Sequence, residues 1–130
     1  MIGDQPDGKM SYTVNKFTKC AGYEDCDTIV IDYNMRGVEI NGIKYHPTHR
    51  IAYLPNNSEG KEVLNLLKTA FERRLIFTLG TSVTTGRANQ IVWNGIHHKT
   101  SLFGGSSFFG YPDTTYFNRV KLELAAKGIY

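Results

Sequence analysis

The chain has 130 residues, of which 41% are hydrophobic and 21% are charged, and its formal net charge is +3. This is ordinary globular composition without a disorder signature, so we expect a single domain over residues 1–130 with one core. The modest charge is spread along the chain and gives nucleic-acid binding no support. Neither an apolar run of about eighteen residues nor a charged-then-apolar leader is present, so we expect a soluble cytoplasmic or nuclear protein without a membrane partner.

The first half of the chain predicts strands separated by turns. Residues 10–15 alternate apolar and polar side chains, as in a half-buried strand, and residues 28–33 are richer in β-branched side chains, which suits a more buried strand. Between residues 34 and 50, several asparagine, glycine and proline residues predict a hairpin or an irregular excursion. The chain then returns to a strand at residues 51–54.

The second half predicts two helices and one short strand. Residues 55–58 supply an N-cap, and an apolar face then recurs at three- and four-residue steps. That face consists of Val63, Leu64, Leu66, Leu67, Ala70, Phe71 and Leu75. Residues 75–79 are too short and too apolar for another amphipathic helix, so they predict a buried strand that ends at Gly80.

A last helix is predicted from Asp113 as its N-cap to a close at Lys127 and Gly128. Its inward-facing residues are expected to be Phe117, Val120, Leu124 and Ala125. The elements together predict an α+β fold: a single compact domain with a mostly antiparallel sheet and two main helices.

Cys20 and Cys26 are the only cysteines, and five residues separate them. Zinc knuckles usually have two residues between their cysteines, so we expect free side chains and no metal; a site completed by His46 and His49 is the disfavoured alternative. A RING domain needs about eight Cys or His ligands for two zinc ions. The chain has two cysteines and four histidines, and it therefore contains no RING.

The segment Gly80-Thr-Ser-Val-Thr-Thr-Gly86 is a hydroxyl-rich glycine loop. Closely spaced backbone N–H groups and hydroxyls are suited to anionic oxygens, and from the residues alone an anion site and a plain turn are equally open. The segment lacks the Gly-Lys-Ser/Thr ending of a Walker A loop and is not followed by a helix pattern. ATP hydrolysis is therefore disfavoured.

His97 and His98 are consecutive, so in an extended segment they point to opposite faces and do not address the same ligand atom. One of them is therefore expected to be functional and the other structural. Glu123 lies beside the inward-facing positions of the last helix. A position at the rim of a cleft is open, but a solvated helix carboxylate is the favoured interpretation from sequence alone.

A dozen ordered segments of the chain, at family spacing, resemble the C-terminal domain of the Deltex ubiquitin ligases. They include Gln-Pro-Asp-Gly-Lys-Met at residues 5–10, the loop at residues 80–86, His-His-Lys-Thr at residues 97–100 and Phe-Gly-Tyr-Pro-Asp at residues 109–113. The chain is most similar to the short type, with a RING and this domain. In the family, this domain binds ADP-ribose and NAD, and the neighbouring RING recruits the ubiquitin-loaded conjugating enzyme (E2).

The resemblance implies a ligand-binding set. It consists of Gly80, Thr81, Ser82, Thr84, Thr85, Gly86, His97, Phe109 and Tyr111. It further implies that Glu123 activates an adenosine ribose hydroxyl for attack on the ubiquitin thioester while His97 orients that ribose. His98, Lys99 and Thr100 are assigned to packing and loop hydrogen bonds.

Three departures from the family pattern accompany the resemblance. Phe109 stands where His or Tyr is common, so a flat surface is kept but a polar tip is lost. Val83 stands where some members carry Ser. Val-Glu-Ile-Asn-Gly at residues 38–42 replaces His-Pro-Asn-Pro-Gly.

The expected function is that of an ADP-ribose- or NAD-binding module, which brings ADP-ribosylated proteins or nucleotide to ubiquitin transfer by a RING-bound E2. A catalytic half-site for joining ubiquitin and ADP-ribose, and a protein-interaction domain with a degenerate nucleotide pocket, are the alternatives. No cofactor is required, and nucleic acid is expected as a partner only where it is itself an ADP-ribosylated substrate. Ubiquitin and the E2 are expected as partners only through a RING that this chain lacks, so the chain is not an autonomous enzyme. A connection with Notch signalling is implied by the same resemblance.

Overall fold

The computed structural model describes residues 2–80 and 89–130 and contains the strands β1 (Gly8–Asn15), β2 (Thr28–Met35), β3 (Val38–Ile40), β4 (Ile43–Tyr45), β5 (Thr48–Pro55), β6 (Phe77–Gly80) and β7 (Gln90–Trp93). A three-stranded antiparallel sheet, ordered β1–β2–β5, forms one side of the core. Two further strand pairs, β3–β4 and β6–β7, are also antiparallel. The helices are α1 (Ser58–Glu72), α2 (Tyr116–Ala125) and a short 3-10 helix at Ser106–Phe108. The predicted α+β class is therefore confirmed.

The central strand β2 supplies much of the core. Its alternate residues Ile29, Ile31, Tyr33 and Met35 are buried on one face, as the β-branched pattern predicts. The half-buried strand predicted at residues 10–15 is present as the edge strand β1, but it is mostly exposed. Within the described part of the chain it pairs with β2, while α1 contacts β5. Tyr12 of β1 is 46% exposed, and Nζ of Lys68 on α1 lies 5.2 Å from the centroid of its ring.

The predicted excursion between β2 and β5 is a hairpin. Asn41 and Gly42 have positive φ angles of 52° and 79°, which a tight two-residue turn of this kind requires. The register pairs Ile40 with Ile43 across it. The prediction of a hairpin is therefore confirmed.

Helix α1 begins where the sequence predicts. The side chain of Asn57 accepts a hydrogen bond of 2.8 Å from the backbone N–H of Gly60, which satisfies one of the unpaired donors of the first turn. The buried residues of the helix are Gly60, Val63, Leu64, Leu67 and Ala70, with Leu66 and Phe71 packed at the edge of the core. Leu75 is also buried but follows the end of the helix.

The strand predicted at residues 75–79 is present as β6, and Leu75, Ile76 and Phe77 are buried. Its partner β7 was not predicted. The two strands pair from Phe77 and Trp93 to Gly80 and Gln90, and residues 81–88 between them lie outside the described residues.

The predicted start of the last helix is wrong. Asp113 does not cap it: α2 begins at Tyr116 after Thr115, and the Asp113 carboxylate accepts hydrogen bonds from the backbone N–H and hydroxyl of Thr115. The predicted close is confirmed by Gly128, whose φ is 79°, and by the bond from Ile129 N–H to the carbonyl of Leu124.

The predicted inward face of α2 holds for Phe117, Val120 and Leu124, which are buried, while Ala125 is half-buried. Both cysteines are free thiols, and burial raises the pKa of Cys20 to about 11. Within residues 2–80 and 89–130, no helix is long and apolar enough to cross a membrane.

Candidate functional site

His97 lies in an extended segment that follows β7 and runs beside β5. The backbone N–H of Asn94 donates to the carbonyl of Ile76 at 3.0 Å, and Tyr53 N–H donates to the carbonyl of Lys99 at 2.8 Å. These bonds fix the segment at both sides of His97. The position of the imidazole is therefore set by the sheet as well as by α2.

Two residues of α2 hold the backbone of His97. Its N–H donates to Oε1 of Glu123 at 2.8 Å, and its carbonyl accepts from the hydroxyl of Tyr116 at 2.8 Å. Glu123 is half-buried and fixed, so the interpretation of it as a solvated helix carboxylate is wrong. A carboxylate has a second oxygen that can accept, and this oxygen gives Glu123 a capacity beyond its structural bond.

Aromatic rings flank the imidazole of His97. Tyr116 meets it edge to face with 5.6 Å between ring centroids, and Phe109 does so at 6.4 Å. Phe109 is 58% exposed and has a left-handed backbone conformation with φ of 58°, whereas Tyr116 is buried. Tyr116 therefore forms the buried side of the candidate site and Phe109 the exposed side.

The two imidazole nitrogens of His97 have different surroundings. Nδ1 lies 3.0 Å from Nη1 of Arg119, whereas Nε2 is buried and has no hydrogen-bond partner within the part of the chain that the structure describes. Burial, followed by the charges of Lys99 and Arg119, lowers the pKa of His97, so the neutral ring is favoured. A buried polar atom without a partner is costly and is uncommon in folded proteins.

Asp113 joins the cations of this region. Its Oδ2 accepts from Nζ of Lys99 at 2.7 Å and also from the guanidinium of Arg119. Lys99 is 0% exposed, and its Nζ lies 5.1 Å from the centroid of the Tyr116 ring. Desolvation raises the pKa of Asp113, but hydrogen bonds from Lys99 and Thr115 outweigh it and bring the pKa to about 2.

His98 has a structural role, as predicted. Its Nδ1 bonds to the carbonyl of Ile96 at 2.8 Å and its Nε2 to the hydroxyl of Tyr33 at 2.7 Å, and the ring stacks on Trp93 with 4.3 Å between centroids. Burial lowers the pKa of His98 to about 4. The two consecutive histidines therefore point into different environments, one into the core and one into the candidate site.

The remaining predicted ligand-binding residues have varied positions. Tyr111 is fully buried, and its hydroxyl donates to the carbonyl of Tyr53 at 2.7 Å, so it contributes to the core beneath the site. Gly80 ends β6. Thr81, Ser82, Val83, Thr84, Thr85 and Gly86 lie outside the described residues. The rim segment at residues 38–42 forms the β3–β4 hairpin.

Arg119 and Tyr116 are parts of this site that were not predicted from the sequence. The signal was their spacing on α2: residues 116, 119 and 123 follow three- and four-residue steps, which place side chains on one face of a helix. Thr115, four residues before Arg119, accepts from Nε of Arg119 at 3.1 Å. The site thus draws four polar positions from one helix and its entry.

Two other features lie away from His97. A groove of about 780 Å³ between α1 and α2 is lined by Leu66, Leu122, Ala125 and neighbouring residues, and His97 is not among them. The candidate site is placed at His97 because of its unsatisfied Nε2, and not at this groove because of its volume. Across the described residues, no group of three or more His, Cys, Asp or Glu side chains is placed to hold a metal ion.

Comparison with known proteins gives a consistent family. The model of the Deltex C-terminal domain matches residues 2–129. The chain is 49% identical over 136 residues to the probable E3 ubiquitin-protein ligase DTX3 of Homo sapiens, with 99% of the chain and 39% of that protein covered. It is 44% identical over 137 residues to the E3 ubiquitin-protein ligase DTX1 of Homo sapiens, with 98% of the chain and 22% of that protein covered. For the E3 ubiquitin-protein ligase DTX4 of Mus musculus, identity is 42% over 137 residues, with 98% of the chain and 22% of that protein covered. The chain therefore spans less than half the length of these relatives.

Proposed function

The chain belongs to the Deltex C-terminal domain family, and from that premise we propose that it is the ADP-ribose- or NAD-binding module of a Deltex-type E3 ubiquitin ligase. The observation that carries this proposal is the buried Nε2 of His97, which has no partner on the described residues and belongs to an imidazole that meets the rings of Tyr116 and Phe109 edge to face. A nucleotide sugar offers both the oxygens and the flat apolar surface that such a position accepts.

Pairing Nε2 of His97 with a ligand atom contributes to the free energy of binding. An unsatisfied buried polar group costs about 1–3 kcal/mol, and a ribose oxygen placed within hydrogen-bond distance of Nε2 removes this cost when the ligand binds. Phe109 supplies a face for the ribose or the base but no hydrogen bond. We therefore expect micromolar rather than nanomolar affinity for ADP-ribose.

Glu123 gives the same pocket a chemical capacity. Its Oε1 accepts the N–H of His97, and the other carboxylate oxygen can accept the proton of a ribose hydroxyl. In the proposed transfer, that hydroxyl oxygen attacks the thioester carbonyl of ubiquitin, an ester C–O bond forms, the C–S bond breaks, and the E2 cysteine leaves as a thiolate. The thioester is delivered by a RING-bound E2, so the chain contributes the nucleotide and the base.

A second candidate function is a protein-interaction domain with a degenerate nucleotide pocket. It is favoured by Phe109, which replaces a ring able to hydrogen-bond, and by the exposure of Phe103, Phe108 and Phe109 around one loop. Contiguous exposed aromatic side chains are typical of protein interfaces. Retention of His97 and Glu123 in hydrogen-bonded positions favours the nucleotide-binding proposal instead.

Calorimetric titration of ADP-ribose and of NAD into the chain tests the proposal. His97→Ala is expected to weaken ADP-ribose binding by about 1–3 kcal/mol, because ring stacking and the Nε2 hydrogen bond are lost. His49→Ala is the matched control, because His49 is an exposed histidine on β5 whose ring contacts Asp32. Equal affinities of the two variants and the unmodified chain place the binding elsewhere, and flat heats at millimolar ligand favour the interaction-domain alternative.

A further inference from the structure

We propose that Arg119 is a positioning residue that fixes His97 in the tautomer with its proton on Nε2, so that the site presents an N–H donor and selects a hydrogen-bond acceptor on its ligand. The assignment of the tautomer stands on the protein alone. Its consequence for the ligand rests on the proposed function.

The side chains of Arg119 and His97 are in direct contact. Nη1 of Arg119 lies 3.0 Å from Nδ1 of His97, and a guanidinium has donors but no acceptor. Nδ1 must therefore accept, which means that it carries no proton. A neutral imidazole has one N–H, and that proton is then on Nε2. The lowered pKa of His97, caused mainly by burial, agrees with a neutral ring.

Hydrogen bonds hold the guanidinium of Arg119 in one orientation. Its three guanidinium nitrogens each have a different partner: Nε donates to the hydroxyl of Thr115 at 3.1 Å, Nη2 to Asp113, and Nη1 to His97. Asp113 is in turn held by the buried Lys99 at 2.7 Å. A planar guanidinium with partners on all three nitrogens has little freedom to rotate, so the surrounding residues fix its contact with Nδ1 of His97.

The neighbouring histidine has the opposite tautomer. Nδ1 of His98 lies 2.8 Å from the carbonyl of Ile96, which can only accept, so the proton of the neutral His98 ring is on Nδ1. Its Nε2 then accepts from the hydroxyl of Tyr33 at 2.7 Å. His98, which is buried and adjacent to His97, therefore serves as an internal reference for the tautomer with its proton on Nδ1.

This tautomer determines which kind of ligand atom can bond to His97. Nε2–H of His97 donates, so the atom that meets it is a hydroxyl, ring or phosphate oxygen rather than an amine or an amide N–H. A ribose hydroxyl that accepts from Nε2 keeps its own proton for a second acceptor. Glu123, bonded to the backbone of the same residue, is the carboxylate positioned to receive it. His97 then orients the sugar, and Glu123 is the base.

Long-range proton–nitrogen correlation NMR on the nitrogen-15-labelled chain, without ligand and at neutral pH, tests the tautomer. We expect an unprotonated Nδ1 and a protonated Nε2 for His97, with the reverse pattern for His98. In Arg119→Met the Nε2–H preference of His97 should weaken while the His98 pattern persists, and Arg119→Lys should restore it in part. Lys121→Met is the matched control on the same helix, because Lys121 pairs with Glu62 rather than with this network.

The His98 pattern also reports that each variant is folded. If His97 carries its proton on Nδ1, or if Arg119→Met leaves its pattern unchanged, the positioning role is overturned and the proposed function is not affected. ADP-ribose titration of the same samples separates the two claims. Arg119→Met should weaken binding about three- to tenfold, the loss of one well-made hydrogen bond. The expected tautomer without any binding to the unmodified chain supports the role of Arg119 and overturns the proposed function.

Discussion

Glu123 and His97 are joined by a hydrogen bond of 2.8 Å from the backbone N–H of His97 to Oε1 of Glu123. The same carboxylate that the proposed chemistry uses as a base therefore also shapes the segment that carries the imidazole. Structural and catalytic contributions of Glu123 are separable, because an amide side chain retains a carbonyl oxygen that can accept the N–H but has no carboxylate to receive a proton.

Glu123→Gln is expected to retain most ADP-ribose affinity and to lose ubiquitin transfer to the nucleotide by about 10²–10⁴-fold, the usual contribution of a general base. The measurement uses the chain joined to a competent RING, with calorimetry for binding and a single-turnover assay for transfer. Glu123→Ala is the matched comparison and should reduce both, since it also removes the bond to His97. Equal loss of binding and transfer in Glu123→Gln contradicts the role as a base.

Stability should fall as the pH falls from about 6.5 towards about 4, because burial depresses the pKa of His98 from 6.5 to about 4. In this range the unfolded chain binds a proton that the folded chain excludes, so the free energy of unfolding is highest above the unfolded pKa. The full loss from this group is on the order of 3 kcal/mol. Denaturant unfolding across the range measures it, and a His98 ring that titrates by NMR near its ordinary pKa contradicts the prediction.

Asp113→Ala is expected to destabilise the fold more than Lys99→Met. Removing Asp113 leaves the fully buried Nζ of Lys99 without its carboxylate, a change that typically costs about 3–5 kcal/mol. Removing the Lys99 ammonium leaves Asp113 with Arg119 and Thr115 as donors, so the loss should be smaller. Chemical denaturation of both variants gives the comparison, and equal or reversed losses show that Lys99 has no such dependence on Asp113.

Gly110→Ala should disturb the loop that carries Phe109. A methyl group at this position meets the carbonyl oxygen of Phe103 at 2.0 Å, which requires the backbone to shift. We expect a loss of stability of about 1–3 kcal/mol together with weaker ADP-ribose binding. Gly80→Ala is the control for tolerance, because its methyl meets Val92 Cγ2 at an ordinary 3.6 Å. Thermal unfolding that is the same for both variants contradicts the prediction.

The regular elements were predictable where one periodicity dominated. The β-branched run of β2, the Asn57 cap of α1 and the glycine that ends α2 act through local geometry, and each is found where the sequence places it. The helix start predicted at Asp113 is wrong by two residues, because α2 begins after Thr115, and Oδ1 of Asp113 accepts from Thr115. Oδ2 of Asp113 accepts from Lys99 and Arg119, which sequence position alone does not bring together.

The candidate site was predictable only in part for a similar reason. Alternation along an extended segment correctly separates His97 from His98, but it does not show that a helix beginning 19 residues later holds His97 by its backbone. Arg119 reads in the sequence as one exposed helix cation among several. Its role becomes visible only when Nδ1 of His97 is found beside it. The roles of the residues at positions 81–86 remain predictions.

An NMR titration of the nitrogen-15-labelled chain with ADP-ribose tests the central claim most directly, because it reports both binding and its place. We predict saturable shifts of the His97, Phe109 and Glu123 amides and of the His97 Nε2 resonance, with His98 and the exposed His49 ring unaffected. Absence of shifts at millimolar ADP-ribose, or saturable shifts confined to the α1–α2 groove around Leu122, would contradict the account.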